Sequence, residues 1–380
     1  MDCEVAIVGA GVIGCSIAFH LARAGQRGVL LLERENVPGS GSTAKANGGI
    51  RAQFTTEVNL AMSMASMEIL DSLEGEIGEP GVYKKAGYLF LTSSPSRFAA
   101  MREAAAWQRA RGVTVEVLDE AGVRAKAPYA AGAIAGGTFG ARDGFIDPGG
   151  LCNFFLREAT RAGAHIRYGA EVTGMNAAQR GFLLHTTAGE IRARVVVNAA
   201  GAWAKPIAAM LGVALPVEPV RRHIFMSGPC PAVPALIPMT IDADTGVLIR
   251  REGERILLGW SNADEPVGFN TQFDPGFIER FAEALDARFP LVSEAGIDLR
   301  RSWAGLYEVT PDHHSVLGES GVPGFLLANG FSGHGVMHAP AAGRAIAEIL
   351  LKGRSTSVDI APLSIERFAR GALVHEQMVL

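Results

Sequence analysis

Residues 3–35 read CEVAIVGAGVIGCSIAFHLARAGQRGVLLLERE, and this stretch decides the fold. The aliphatic run at residues 5–8 predicts a strand buried in a parallel sheet. A G-x-G-x-x-G turn follows, then a helical pattern that continues to about Ala24, then a second aliphatic strand that ends in Glu33. This order of elements predicts a dinucleotide-binding unit of the Rossmann type rather than a glycine-rich turn without a ligand.

The three glycines of the turn have separate physical roles. Gly9 permits the tight turn, Gly11 lets the backbone approach a pyrophosphate, and Gly14 lets the helix pack close to the strand. The helix N-terminus offers free N–H groups to the phosphates, and the Glu33 carboxylate can accept hydrogen bonds from the ribose hydroxyls. Because Glu33 would repel the extra phosphate of NADP, the unit predicts NAD or FAD.

The next stretch favours FAD over NAD. Residues 34–54 read RENVPGSGSTAKANGGIRAQF, which is too polar for a strand and too rich in glycine for a helix. A nicotinamide dehydrogenase usually continues with another regular strand and helix, whereas a loop of this kind suits a long cofactor that lies along it. A nicotinamide-dependent dehydrogenase stays open as an alternative.

Composition and charge argue against several other classes of protein. The chain is 48% hydrophobic and 19% charged, which is typical of a globular protein. Its length of 380 residues predicts two domains. The net charge of −4 argues against a nucleic-acid-binding surface. No apolar run is long enough for a transmembrane helix. The four cysteines form no C-x-x-C pair, so we expect no metal site and a reducing, cytoplasmic location.

Motifs spread over the whole chain resemble those of one family. They are the N-terminal unit, STAKANGGIRAQF (42–54), DGFIDPGGL (143–151), VVVNAAGAWA (195–204), WAGLYEVTPDHHSVLGE (303–319) and GFLLANGFSGHGVMHAPAAGRAIAEIL (324–350). In this order and spacing, the chain resembles the D-amino-acid oxidase superfamily of FAD-dependent amine oxidoreductases. The strongest likeness is to the branch that contains sarcosine oxidase, proline dehydrogenase and glycine oxidase.

The resemblance implies an α/β fold, in which a Rossmann-like FAD-binding domain is interleaved with an α+β substrate domain built on a mostly antiparallel sheet. The FAD-binding domain is expected to comprise residues 1–80, 143–216 and 319–380. The substrate-binding domain is expected to comprise residues 81–142 and 217–318, where runs such as AGYLFL and GVLIRREGERILLGW are typical of strands.

The resemblance also implies which residues hold FAD. Ser42 and Thr43 would lie near the pyrophosphate, and Val172 would meet the adenine through its backbone. We expect non-covalent FAD, because Gly305 and Asp147 stand where relatives with a covalent flavin have a cysteine or a histidine. The full set expected at the cofactor is Gly9, Gly11, Gly14, Glu33, Ser42, Thr43, Asn47, Gly48, Gly49, Val172, Ala200, Gly201, Gly330, Ser332, Gly333, His334 and Gly335.

Four residues are candidates for the catalytic and substrate side: Arg51, Tyr307, His334 and Met337. Arg51 matches an arginine of the family that binds the substrate carboxylate, as a planar guanidinium can; the alternative is a surface or structural arginine. Tyr307 suits either an aromatic wall of the pocket or the core. Met337 stands where monomeric sarcosine oxidases have a lysine, so a bulkier or more apolar substrate becomes plausible.

The stretch ANGFSGHGVMHAP, residues 328–340, admits three interpretations: a serine–histidine catalytic site, a metal site, or a glycine-rich cradle for the cofactor. We favour the cradle, because the stretch lies between a strand and a helix and no acid orients the histidine. The helix would begin near Gly335 and direct its N–H groups at the flavin edge that becomes negative on reduction. Ser332 and His334 would then be neighbours of the cofactor.

The remaining polar clusters are predicted to be structural. Asp312, His313 and His314 have no further ligand at the spacing that a metal site needs. Arg221 and Arg222 are expected to stabilise the junction of the two domains.

The expected reaction is oxidation of the C–N bond of a small amino acid, or of an N-alkyl or cyclic one such as sarcosine or proline. Hydride transfer to flavin N5 would give an imine. Leu257 stands where monomeric sarcosine oxidases have the lysine that activates O2, so we favour a dehydrogenase over an oxidase. The electron acceptor would be O2 or a redox carrier. The alternatives are a D-amino-acid dehydrogenase, or the flavin-bearing subunit of a hetero-oligomeric oxidase or dehydrogenase; a homo-oligomer is also open.

Overall fold

The structure is a computed structural model that describes residues 2–78, 83–262 and 264–376. Its strands are β1 (Asp2–Val8), β2 (Val29–Leu32), β3 (Gly49–Ile50), β4 (Tyr88–Thr92), β5 (Glu116–Leu118), β6 (Gly136–Gly140), β7 (Gly144–Phe145), β8 (His165–Arg167), β9 (Val172–Ala178), β10 (Gly181–Thr186), β11 (Gly189–Asn198), β12 (Glu218–Met226), β13 (Met239–Asp242), β14 (Leu248–Glu252), β15 (Arg255–Trp260), β16 (Trp303–Val309), β17 (Val316–Glu319) and β18 (Phe325–Asn329). Its α-helices are α1 (Val12–Arg23), α2 (Glu57–Ile77), α3 (Pro95–Arg109), α4 (Glu120–Lys126), α5 (Pro148–Arg161), α6 (Ala204–Ala209), α7 (Ile278–Arg288), α8 (Pro290–Ser293), α9 (Gly335–Lys352) and α10 (Glu366–Ala369). Short 3₁₀ turns lie at Thr43–Lys45, Gly201–Trp203, Pro275–Phe277, Leu299–Arg301 and Ala361–Leu363.

The first sheet has a parallel centre with the strand order β8-β2-β1-β11-β18. At one edge β17 pairs antiparallel with β18, and the hairpin of β9 and β10 extends from β11. The central strands are aliphatic because a parallel sheet is buried on both faces. On one face α5 and α9 pack against α1, and a Cβ atom on Gly343 would lie 2.2 Å from Ser16 Oγ. The glycine therefore permits the close contact between α1 and α9.

The second sheet has the order β16-β12-β15-β14-β13-β4-β6-β5. Its neighbouring strands are antiparallel, except that β13 and β4 run parallel. On one face the sheet packs against α7, where the rings of Phe225 and Phe281 stack at 4.2 Å. On the opposite face Tyr88 and Leu248 line a cavity between the two sheets.

A small antiparallel pair holds the segment that carries Arg51. In this pair Gly49 of β3 faces Phe145 of β7, and Ile50 faces Gly144. A Cβ atom on Gly144 would lie 1.9 Å from the Lys84 carbonyl oxygen, so a larger residue would force these segments apart. The pair therefore fixes the path of the chain just before Arg51.

The structure contains a long helix, α2, that the sequence pattern did not predict. Small polar residues interrupt its buried face: Ser66 Oγ accepts a hydrogen bond from the Ala341 N–H at 3.2 Å, and Ser63 Oγ is 3.0 Å from His338 Nε2. Because this face bonds to α9 through polar groups, the apolar periodicity that reveals a helix is weakened. Among the helices of the described residues, none is long and apolar enough to cross a lipid bilayer.

The two sheets alternate along the chain. Strands of the first sheet come from residues 2–32, 165–198 and 316–329, and those of the second from residues 88–140 and 218–309. The predicted domain segments follow the same order, although β17 begins at Val316, before the predicted boundary at 318 and 319. The predicted boundary at 80 and 81 lies outside the described residues. The division into two domains stays a prediction.

Candidate cofactor and substrate site

A cavity of about 1180 Å³ lies between the two sheets, at the carboxyl ends of the parallel strands. One end is formed by the turn after β1 and by the residues that follow β2. The other end is formed by residues of β12, β15 and β16 and by the turn before α9. In open α/β sheets ligands bind at this edge. The cavity therefore joins a nucleotide-binding edge to a wall supplied by the second sheet.

The turn after β1 needs glycine for different reasons at different positions. Gly9 has a φ of +103°, and a Cβ atom there would lie 2.5 Å from the Ala199 carbonyl oxygen. A Cβ atom on Gly14 would lie 2.0 Å from the Gly9 carbonyl oxygen and would separate α1 from the strand. Gly11 lines the cavity, and the nearest atom to a Cβ there would be Thr43 Oγ1 at 3.4 Å. Gly14 therefore serves packing, while the backbone of Gly11 is open to a ligand.

The start of α1 is tied to the loop that follows β2. The Val12 N–H donates to Thr43 Oγ1 at 3.1 Å, and the Ser42 hydroxyl donates to the Leu306 carbonyl at 2.7 Å. Val12, Ser42 and Thr43 all line the cavity. An anion at this point meets the positive end of the helix dipole, as a pyrophosphate requires.

Glu33 lies at the end of β2, where its carboxylate is held in one orientation. Its Oε2 accepts from the Ala10 N–H at 2.9 Å, and its Oε1 accepts from the Glu35 N–H at 3.0 Å. The Ala170 N–H donates to the Glu33 carbonyl at 2.8 Å, which brings Val172 to the same end of the cavity. Acceptor oxygens beside a glycine turn are the arrangement that binds a ribose.

The cavity brings together most residues predicted at the cofactor. Those that line it are Gly9, Gly11, Glu33, Ser42, Thr43, Asn47, Gly48, Gly49, Val172, Ala200, Gly201, Ser332, Gly333, His334 and Gly335. Gly14 and Gly330 do not line it. Gly330 has a φ of +73°, and a Cβ atom there would lie 2.4 Å from Thr310 Cγ2. Gly330 therefore shapes the turn before α9 instead of offering its backbone to the cavity.

The turn before α9 contains Ser332 and His334, and the two side chains do not form a nucleophile and base. The Ser332 hydroxyl donates to the Gly330 carbonyl at 3.1 Å. The His334 ring packs edge-on against Phe54, with 5.1 Å between the ring centroids. Burial, together with the nearby charge of Arg51, holds the pKa of His334 well below its usual range, so this imidazole is neutral near pH 7.

Arg51 lines the cavity and is buried, with only 1% of its surface exposed. Its guanidinium carbon lies 3.9 Å from the centroid of the Phe54 ring, and its Nη1 donates to the Gln53 carbonyl. Burial lowers the pKa of Arg51, and it is still a cation at neutral pH because free arginine titrates far above this range. A fixed, buried cation in a ligand cavity is suited to bind a carboxylate.

Asp143 holds the segment after Arg51, a role that sequence reasoning missed. Its Oδ1 accepts from the Ala52 N–H at 3.1 Å, and its Oδ2 accepts from Gln53 Nε2 at 3.0 Å. Burial raises the pKa of Asp143 to about 6. Asp143 is the first residue of the motif DGFIDP, and this position was the signal that could have found it. Its partner Ala52, however, lies 91 residues away in the sequence.

Tyr307 and Met337 also line the cavity. A Cβ atom on Gly333 would lie 2.4 Å from the Tyr307 ring, so the turn before α9 packs directly on this ring. Burial raises the pKa of the Tyr307 phenol, which is therefore neutral. Met337 is buried in the first turn of α9 and offers an apolar surface.

Trp203 is a cavity residue that sequence reasoning did not single out. The Arg34 guanidinium carbon lies 3.7 Å from the centroid of its ring, and the Phe269 ring stacks on it with 5.5 Å between the ring centroids. The motif VVVNAAGAWA contains this tryptophan, and an aromatic residue after a glycine turn was the signal that could have found it.

We expect the Glu308 carboxyl to make the free energy of unfolding depend on pH. Burial raises its pKa to about 7, although the Gly330 N–H donates to its Oε2 at 3.0 Å. An unfolded glutamate titrates at about 4.3, so the folded protein binds the extra proton between these values and loses stability as the pH rises through this window. Glu308→Gln lacks this proton. The free energy of unfolding of the variant minus that of wild type should therefore increase by about 1–3 kcal/mol from pH 5 to pH 8.

Urea unfolding of the flavin-saturated protein at both pH values measures this difference. Glu319→Gln, which replaces an exposed glutamate at the end of β17, is the control. A stability difference between Glu308→Gln and wild type that is the same at pH 5 and pH 8 would contradict the prediction.

Known proteins that are similar to this chain are FAD-dependent oxidoreductases. Residues 4–349 match the DAO family, described as FAD dependent oxidoreductase. FAD-dependent oxidoreductase domain-containing protein 1 of Xenopus laevis is 32% identical over 416 residues, which cover 96% of this chain and 82% of the relative. Mitochondrial dimethylglycine dehydrogenase of Mus musculus is 27% identical over 390 residues, which cover 97% of this chain and 44% of the relative.

Among solved structures, L-proline dehydrogenase from P. horikoshii superposes with a TM-score of 0.92 at 28% identity, covering 98% of this chain and 99% of that one. Glycine oxidase from Geobacillus kaustophilus superposes with a TM-score of 0.87 at 27% identity, covering 96% of this chain and 99% of that one. The fold and the cavity thus define an oxidoreductase that uses a flavin dinucleotide. The chain belongs to the DAO family of FAD-dependent oxidoreductases. The predictions of the family, the fold class and the cofactor FAD are confirmed.

Proposed function

We propose that the chain oxidises the C–N bond of a small amino acid, or of an N-alkyl or cyclic amino acid of the sarcosine or proline type, to an imine. The observation that carries the proposal is the buried guanidinium of Arg51 in the same cavity as the glycine turn. The names of the relatives support it, since they include dimethylglycine dehydrogenase, sarcosine dehydrogenase and L-proline dehydrogenase.

The residues that line the cavity fit FAD. The backbone of Gly11 and the start of α1 would hold its pyrophosphate, Glu33 its ribose, and the first turn of α9 the flavin end. Bound FAD supplies the two-electron acceptor of the reaction. The chain places the N-terminus of an 18-residue helix, α9, at the cavity, where its dipole stabilises negative charge.

The chain's own side chains would orient the substrate and exclude water. Arg51 would bind the α-carboxylate in a bidentate fashion, while the ring of Tyr307 and the thioether of Met337 would form apolar walls. Desolvation in such a pocket favours the neutral amine, which is the form that can be oxidised. His334 is neutral and packs against Phe54, so it would serve as a wall and not as a base.

We propose further that FAD is bound non-covalently by the predicted FAD-binding domain. Position 305 has no side chain, and a Cβ atom there would lie 2.5 Å from Lys45 Cβ. Asp147 accepts hydrogen bonds from the N–H groups of Gly149 and Gly150 at the start of α5, so it acts as a helix cap. Denaturation in detergent should release all the yellow colour through a filter; colour that stays with the chain would contradict non-covalent binding.

A cytoplasmic dehydrogenase is favoured over an oxidase. Leu257, at the position of the O2-activating lysine of monomeric sarcosine oxidases, is buried in β15 and is not among the residues that line the cavity. Lys45 does line the cavity, but its side chain is exposed and is not a buried cation. The rate at which air reoxidises the reduced flavin, compared with a dye, distinguishes the two activities. Gel filtration with a turnover assay on the chain alone tests whether a partner subunit is needed.

Anaerobic bleaching of the flavin tests the proposed function. Purified protein is mixed without oxygen with a panel of D-, L- and N-methyl amino acids, and the loss of flavin absorbance is followed. At least one member should bleach the flavin fully, and the corresponding amine without a carboxylate should do so far less efficiently. If no amine or amino acid reduces the flavin, the proposed function is wrong.

A further inference from the structure

A second arginine, Arg222, faces the cavity from β12. Side chains alternate between the faces of a strand, so Arg221 and Arg222 point in opposite directions. Arg221 forms an ion pair with Glu265 at 2.7 Å, away from the cavity. Arg222 stands opposite Gly305 of β16, which has no side chain to cover it. The pair expected at the domain junction therefore divides into a structural arginine and a cavity arginine.

The guanidinium of Arg222 is held but not neutralised. Its Nη1 donates to the Arg221 carbonyl at 2.9 Å, and its Cζ lies 5.3 Å from the centroid of the Tyr307 ring. Its Nε is buried without a hydrogen-bond partner among the described residues. Arg222 forms no ion pair with a carboxylate of the described residues, and the carboxylate whose charge reaches it, Glu265, is paired with Arg221. A buried donor and charge left in this state are costly unless a ligand completes them.

The charged groups of the cavity are unevenly distributed. Glu33, Glu35 and Glu171 lie together at the end of the cavity that is formed by the turn after β1 and the residues after β2. At the opposite end, formed by β12, β15, β16 and the turn before α9, the lining carboxyl is Glu308. Its Oε2 accepts a hydrogen bond from the Gly330 N–H, and burial raises its pKa to about 7. The cations at this end are Arg51, Arg222 and, at the exposed margin, Lys45. The groups whose charges act on Arg222 are the Tyr307 phenol, which is neutral near pH 7, and the Glu265 carboxylate, which pairs with Arg221 at 2.7 Å.

We propose that Arg222 binds a second acidic group of the substrate, so that the preferred substrate is an amino acid with two carboxylates. The proposal rests on the proposed function, in which Arg51 binds the α-carboxylate. Arg51, Arg222 and Tyr307 all line this cavity, Arg222 Cζ lies 5.3 Å from the Tyr307 ring, and the charges of both arginines act on the Tyr307 phenol. The two guanidiniums therefore approach the same region of the cavity from different elements. The second carboxylate belongs to the side chain, as in aspartate or glutamate, or to an N-carboxyalkyl group. This second carboxylate neutralises the charge of Arg222 and accepts a hydrogen bond from its Nε.

The test compares each dicarboxylate with its neutral isostere. Glutamate is paired with glutamine, aspartate with asparagine, and N-(carboxymethyl)glycine with N-propylglycine, each chiral compound as both enantiomers. In wild type, kcat/KM for flavin reduction should be about tenfold to hundredfold higher for the best dicarboxylate than for its isostere, since a charged hydrogen-bonded contact is worth this much. Arg222→Gln should collapse this ratio towards one, mainly through KM, and Arg222→Lys should restore part of it.

A binding measurement separates this inference from the proposed function. Glutarate and butyrate, which carry no amine to oxidise, are titrated against the flavin spectrum of wild type, Arg222→Gln and Arg300→Gln. Arg300 is an exposed arginine outside the cavity and is the matched control. Glutarate should bind about tenfold or more tighter than butyrate in wild type and Arg300→Gln, but not in Arg222→Gln.

The possible results are distinct. If no amino acid bleaches the flavin but glutarate binding depends on Arg222, the proposed function fails and the second acidic subsite stands. If one carboxylate is shared by both arginines, Arg222→Gln weakens glutarate and butyrate equally, and the inference is overturned. It is also overturned if wild type binds neither compound or does not distinguish them.

Discussion

Replacement of Arg51 by glutamine is expected to raise KM for a carboxylated substrate by about hundredfold to thousandfold. Truncation of one partner of a buried, hydrogen-bonded charge pair costs about 2–5 kcal/mol, and each 1.4 kcal/mol is a factor of ten. The guanidinium is 1% exposed, so water cannot take its place as a partner for the carboxylate. Arg51→Lys retains the charge but loses the planar fork, so it should recover only part of the affinity.

The matched measurement uses an amine of the same skeleton that lacks the carboxylate. Its KM should change by less than about tenfold, because it makes no contact that the guanidinium supplies. Arg51 also packs on Phe54, so flavin content and the melting temperature are recorded for each variant. An equal rise in KM for the amino acid and the amine would remove Arg51 from the carboxylate site.

Alanine at Gly11 and alanine at Gly14 should disable the protein in two different ways. The Gly11 backbone lines the cavity, and a Cβ there has Thr43 Oγ1 as its nearest neighbour at 3.4 Å. Gly11→Ala should therefore fold, yet bind flavin about a hundredfold less tightly, because the methyl group stands where the pyrophosphate must meet the backbone. A Cβ on Gly14 would lie 2.0 Å from a backbone oxygen, so Gly14→Ala should lose about 3 kcal/mol or more of stability.

Circular dichroism melting and the ratio of flavin to protein after dialysis distinguish the two outcomes. Gly25→Ala is the control, because a Cβ at Gly25, which follows α1, would meet nothing within 4 Å; its positive φ makes a modest loss of stability expected without loss of flavin. Tight flavin binding by Gly11→Ala would mean that the cofactor does not lie against this turn. Normal stability of Gly14→Ala would contradict the packing role.

The nucleotide-binding half of the protein could be predicted because its requirements are local. A strand, a glycine turn and a helix are set by residues within about thirty positions of each other, and each leaves its own pattern. The turn before α9 also leaves a local pattern of strand, glycines and helix, and its Gly333 and Gly335 line the cavity. The helix α2 escaped prediction because the polar residues on its buried face bond to α9, a partner that local sequence does not reveal.

The sequence by itself determined the Rossmann-type unit, the family and the cofactor, and it singled out Arg51, which directly follows β3. It could not determine which polar groups meet, since Asp143 and Ala52 are 91 residues apart and Arg222 and Gly305 belong to different strands. Strand alternation required Arg221 and Arg222 to face opposite ways, but only the tertiary structure decided which one faces the cavity. The physical reason is that a local pattern specifies backbone conformation, whereas the compensation of a buried charge depends on segments that folding brings together.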